Sequence, residues 1–246
     1  APVIVWPVIF FFFAIALLAA LATGFAWAAL IALAMTFFAA WFWIPHLVLG
    51  DMAGLLVVIG AMVAIFFGAG YYFMKRPTPS EPKIESGTIS WEWPDSWKIF
   101  LPALSGILPF LLLTMAAARL RPENPTSLFG MAALLVLLLL GLIKGTGTSA
   151  DALGLVALAG AALVQYAWHG AAFSPESALF SLPWFAGFSL TFLMLPFAFP
   201  NRFGSYRLVW VASALSGPLN FLLFYRSALS LGFAPYIGAL PLIWEI

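Results

Sequence analysis

The residues best equipped for chemistry in this chain are two histidines and the charged side chains near them. His46 stands in Pro-His-x4-Asp, ahead of Asp51, and His169 in Trp-His-x6-Glu, ahead of Glu176. Arg119, Arg121, Glu123 and Arg226 fall on the same side of the bilayer under the topology derived below. Imidazole, carboxylate and guanidinium groups at one membrane face could serve general acid–base transfer of a lipid-linked group, or form a His/carboxylate metal site. The spacing selects neither. No pair matches a compact motif such as H-E-x-x-H, and polar residues collect at membrane rims whatever the function. The catalytic candidates are therefore His46, Asp51, Arg119, Glu123, His169 and Glu176, with solvated interface residues as the alternative, and no metal site is assigned. Paired axial haem ligation is weaker still, because the histidines stand at the ends of apolar runs rather than inside facing helices.

A second constellation lies between Arg207 and Arg226, where 18 residues carry no charge. That is close to the ~20 needed to cross a ~30 Å hydrocarbon core as a helix. At its centre are Ser213, Ser216, Gly217, Pro218 and Asn220. Pro218 removes a backbone donor and crowds the preceding turn, and Ser213, Ser216 and Asn220 could bond the groups it frees. Such a kink either holds a substrate or packs against a neighbouring helix.

The elements that must position these residues are membrane spans. Of 246 residues, 64% are hydrophobic and 8% charged, and the mean hydropathy is +1.08. Soluble domains carry ~25% charged residues, so no soluble domain is expected. The fold class is an all-α, polytopic transmembrane bundle of about nine spans, over 3–22, 25–43, 52–73, 100–118, 128–143, 152–168, 182–199, 208–225 and 229–244. The first run lacks a basic leader and is too long for a signal peptide. Gly54, Gly60, Gly68 and Gly70 should let the third span approach its neighbours closely. Residues 1–74 form a three-span unit and 99–246 a six-span unit. The Pro- and Trp-rich loop 75–98 between them suits a solvated linker followed by an interfacial segment.

Charge placement then gives orientation. With nine spans, seven of the ten Lys and Arg (Lys75, Arg76, Lys83, Lys98, Lys144, Arg202 and Arg207) share one side, which the positive-inside rule makes cytoplasmic. The N-terminus is then extracytoplasmic and the C-terminus cytoplasmic. A net charge of +1 offers no surface to nucleic acid, and zero cysteines exclude disulfides and thiolate metal sites. Phosphate-loop, dinucleotide and nucleophile-elbow motifs are missing, which leaves ATP-driven and hydrolase readings without support. The span interiors carry Thr36, Ser105, Thr114, Gln165, Tyr166, Ser189, Thr191 and Asn220 but no ionisable acid or base, which disfavours ion-coupled pumping. Such polar side chains usually bridge helices, although Gln165 and Tyr166 could line an outward cavity.

The C-terminal third, with Tyr166-Ala167-Trp168-His169, Leu195-Pro196-Phe197-Ala198-Phe199-Pro200 and Trp210-Val211-Ala212-Ser213-Ala214-Leu215-Ser216-Gly217-Pro218-Leu219-Asn220-Phe221, resembles the bacterial multi-pass membrane proteins of domain of unknown function 2339. Asn220 stands where that pattern leads one to expect His. Members look much longer, so the resemblance implies a fragment or a short relative in the bacterial inner membrane, and it lends no activity. The expected function is a non-catalytic interaction or scaffold subunit of a larger membrane assembly, with the lipid bilayer and other membrane subunits as partners. The alternatives are a transporter or flippase of an uncharged solute or lipid, and an extracytoplasmic transferase acting on a lipid-linked substrate. No cofactor is expected, and a bound lipid is compatible with all three.

Overall fold

The structure, a computed structural model, describes residues 26–75, 99–143, 151–203 and 206–232, together with Trp6, Phe11, Phe12 and residues 14–19. Among these residues the fold is all-helical, and seven helices are long and apolar enough to cross a membrane. They are α1 (Ala26–Trp43), α2 (Met52–Lys75), α3 (Phe100–Leu120), α4 (Thr126–Ile143), α5 (Ala152–Ala172), α6 (Ala178–Ala198) and α7 (Arg207–Ser230). These correspond to the second through eighth expected spans. The expected spans 3–22 and 229–244 lie largely outside the described residues, as does most of the loop 75–98.

Helix ends depart from the sequence expectation where a local cap decides them. α6 begins four residues before Leu182, directly after a short 3-10 turn, Pro175–Ser177, that Ser174 and Ser177 cap reciprocally: Ser177 Oγ accepts from Ser174 N at 2.9 Å and Ser174 Oγ from Ser177 N at 3.4 Å. α7 continues to Ser230, absorbing the expected start of the last span, and the chain turns at Gly232, whose φ of +80° suits a residue without a side chain. α3 runs past Ala118 and closes on Arg121, a left-handed residue with φ 49° whose N–H reaches Ala117 O at 3.3 Å. α5 runs past Trp168 to Ala172, so His169 lies inside a helix rather than beyond its end.

α3 and α5 form the centre. α3 packs against α2, α4 and α5; α5 also packs against α4 and α7; and α6 lies chiefly along α7. The core runs through all seven helices and includes fully buried Phe66, Phe110, Phe129, Trp168, Phe185 and Phe192. Close approach occurs at fewer glycines than expected. A Cβ at Gly70 would lie 2.6 Å from the backbone nitrogen of Pro102, and one at Gly160 would lie 2.6 Å from the Phe110 ring. Gly54 and Gly68 instead face outward with nothing within 4 Å.

Two contacts tie one end of the bundle together. Arg119 Nε donates to Pro45 O at 3.3 Å, and the buried Trp168 donates through Nε1 to Pro122 O at 2.7 Å. The α1–α2 corner, the α3–α4 loop and the end of α5 therefore meet at one level.

Candidate functional site

The polar side chains that converge belong to α5, α6 and α7. The chain directions fix their heights. Asp151, at the start of α5, accepts from Leu208 N at 2.9 Å and from Val209 N at 3.2 Å, so α5 and α7 begin side by side and run parallel. Farther along, Tyr166 Oη donates to Leu219 O. α6 runs antiparallel to both: Ser213 Oγ donates to Leu193 O at 3.0 Å, and the Phe185 and Phe224 rings lie 6.4 Å apart. Between those two contacts, Ser189 falls at the height of Ser216 to Asn220 on α7 and of Gln165 on α5.

Gln165, Ser189, Ser216, Asn220 and Ser227 are each exposed by 1% or less. His169, one turn beyond Gln165, is buried and stacks on Phe173 with ring centroids 4.2 Å apart and planes at 15°. The amide nitrogens bond their own helices, Gln165 Nε2 to Ala161 O at 3.1 Å and Asn220 Nδ2 to Ser216 O at 2.9 Å. Ser216 Oγ donates to Ser213 O at 2.7 Å. Five buried side-chain atoms have no partner among the described residues: Gln165 Oε1, His169 Nε2, Ser189 Oγ, Asn220 Oδ1 and Ser227 Oγ. All five belong to these three helices. Leaving such an atom unbonded costs about 1–3 kcal/mol, so the arrangement calls for water or a ligand.

The structure places the expected kink differently from its chemistry. α7 runs unbroken through Pro218, which is exposed, while Ser213, Ser216 and Asn220 are buried; Gly217 is half-buried with nothing within 4 Å of a built Cβ. Pro218 frees the carbonyl of Ala214, four residues earlier. None of the three side-chain bonds goes there: Ser213 reaches α6, and Ser216 and Asn220 bond Ser213 O and Ser216 O.

His46, Asp51, Arg119, Glu123, His169 and Glu176 all stand at one end of the bundle, as the sequence places them, but without converging. His46, Glu123 and Glu176 are exposed, Asp51 Oδ2 accepts from Val48 N at 3.1 Å, and Arg119 binds the Pro45 carbonyl. His169 is held in the core. Among the described residues no three His, Cys, Asp or Glu side chains gather as a metal site. Sequence reasoning overlooked Ser227 and Asp151. Ser227 had a readable signal, since Ser216, Asn220 and Ser227 fall on one helical stripe. Asp151 had none, because its partner is a different helix. No family model, curated protein or solved structure matches the chain, so the site is read from its own residues.

Proposed function

We propose that this is a bacterial inner-membrane protein that holds an uncharged solute or lipid between α5, α6 and α7 and carries it through the bilayer. The supporting observation is the set of five unpartnered buried polar atoms. Hydroxyls that only serve a helix find a carbonyl one turn back, as Thr36 does with Ala32, Thr114 with Phe110 and Thr191 with Gly187, each at 2.7 Å. By contrast, Gln165, Ser189, Asn220 and Ser227 leave acceptors or hydroxyls open at buried positions, the usual setting of a membrane-embedded ligand. With seven of ten Lys and Arg on the side where α5 and α7 begin, we place that side in the cytoplasm, and His169 and Arg226 toward the outside.

Native mass spectrometry after mild extraction from the source membrane tests this reading. A stoichiometric small molecule or lipid that is lost on Asn220→Leu supports it; a bare chain, identical in mass to the variant apart from the substitution, refutes it. One observation favours the scaffold reading as a second. Gly54 and Gly68 on α2 face outward with open space, where a helix of another membrane subunit could come close. A stoichiometric protein partner displaced by Gly68→Leu would support that reading instead.

A further inference from the structure

We infer that the molecule held between α5, α6 and α7 is a neutral hydrogen-bond donor, a polyhydroxyl compound rather than an ion or a pure acceptor; the inference rests on the carrier reading above. The two buried amides set the polarity of the space. A backbone carbonyl accepts only from the NH2 side of a carboxamide, so the bonds to Ala161 O and Ser216 O fix which end of each amide is spent on its own helix. Each amide nitrogen keeps a second N–H, but the oxygens Gln165 Oε1 and Asn220 Oδ1 have no donor at all, two acceptors whose identity the helices have already chosen. Ser189 Oγ, Ser227 Oγ and His169 Nε2 adapt to either role, because a hydroxyl rotates and an imidazole nitrogen donates or accepts according to its tautomer. A ligand must therefore donate to the two fixed oxygens and can take what it needs from the three adaptable groups.

Charge is disfavoured from both sides. An anion would face two carbonyl oxygens. A cation finds no carboxylate anywhere in α5, α6 or α7. A vicinal diol carries two donors on adjacent carbons and no charge. It can come from a free polyol or from the headgroup of a neutral glycerolipid.

Two matched pairs of probes separate these sources, applied to the full chain in detergent. Saturation-transfer NMR compares glycerol with 1,2,3-trimethoxypropane, and native mass spectrometry compares monoolein with its di-O-methyl ether. In at least one pair the hydroxyl member should bind about tenfold better than its methylated analogue, since each lost bond to a buried acceptor is worth roughly a factor of ten. Which pair responds identifies the source. Gln165→Met and Asn220→Leu should each abolish the preference while the variants unfold at or above the wild-type temperature, because both amides bond only within their own helices. Equal binding of hydroxyl and methylated members in every pair that binds overturns the donor inference and leaves the carrier reading standing. If no probe binds, the open atoms hold only water, and both fail.

Discussion

Replacing Gly70 by Ala should loosen the α2–α3 contact, and the cost can be worked from the geometry. A Cβ at position 70 would lie 2.5 Å from Pro102 Cδ, 2.6 Å from Pro102 N and 3.0 Å from Pro102 Cα. Carbon atoms settle at about 3.5–4.0 Å, so the two helices must part by about 1 Å. Nothing there can rotate aside, because all three atoms belong to a proline ring or backbone. Overfilling a packed core costs about 1–3 kcal/mol, and a rigid neighbour puts this contact near the top of that range. Against it stands the better helix propensity of Ala, worth up to ~1 kcal/mol. The net loss is about 2 kcal/mol. Gly68 supplies the control two residues earlier in the same helix turn, since a Cβ there meets nothing within 4 Å and keeps the propensity gain without the clash. Thermal unfolding of both variants in one detergent, followed by tryptophan fluorescence, should give a lower midpoint for Gly70→Ala and an equal or higher one for Gly68→Ala. Midpoints that move together, or a rise for Gly70→Ala, would refute the close approach of α2 and α3.

Three further substitutions probe the other joints of the bundle. Asp151→Ala removes both acceptors from the first turn of α7 and should cost about 1–2 kcal/mol, with Asp151→Asn recovering part of it because one oxygen remains; equal unfolding midpoints for wild type and Asp151→Ala would show the cross-helix cap to be idle. Trp168→Phe leaves the Pro122 carbonyl without its donor at a fully buried site and should cost about 2–3 kcal/mol, and unchanged stability would mean that this bond does not form. Asn220→Leu, measured without ligand, should raise stability by about 1 kcal/mol by removing an unpartnered buried oxygen; a fall would show that Oδ1 has a partner in the folded chain.

The seven described spans were legible because their signal is cumulative: runs of ~20 apolar residues need no knowledge of what lies opposite. Their ends were less so, since a capped 3-10 turn at Pro175–Ser177 leads straight into α6 while apolarity there is diluted by Pro175 and Glu176. The site was legible only as an inventory. Gln165, Ser189 and Asn220 could be named as interior polar residues, but their common height depends on α6 running antiparallel to α5 and α7. The start of α7 beside the start of α5 is set by Asp151, whose carboxylate gives no local sign that it caps another helix. The histidines misled for a related reason. His46 and His169 are equally polar on paper, yet one ends a solvent-facing turn and the other packs on Phe173.

α7 shows why proline is a poor guide to the functional face of a membrane helix. Its defect is a missing donor and a crowded turn, and both are easiest to accommodate where no second helix presses in. Pro218 accordingly faces out, with Ala214 and Leu215 beside it also exposed, and the buried face passes through Ser213, Ser216, Asn220 and Ser227. Side chains that can donate or accept tolerate burial only with partners, so their persistence on the inward stripe says more than the kink does. Ser213 donates across to α6, Ser216 and Asn220 donate to carbonyls of α7 itself, and Asn220 Oδ1 and Ser227 Oγ stay open. Substituting Pro218 by Ala should therefore leave ligand retention in native mass spectrometry unchanged, while Asn220→Leu removes it. Loss of ligand in Pro218→Ala would return the site to the kink.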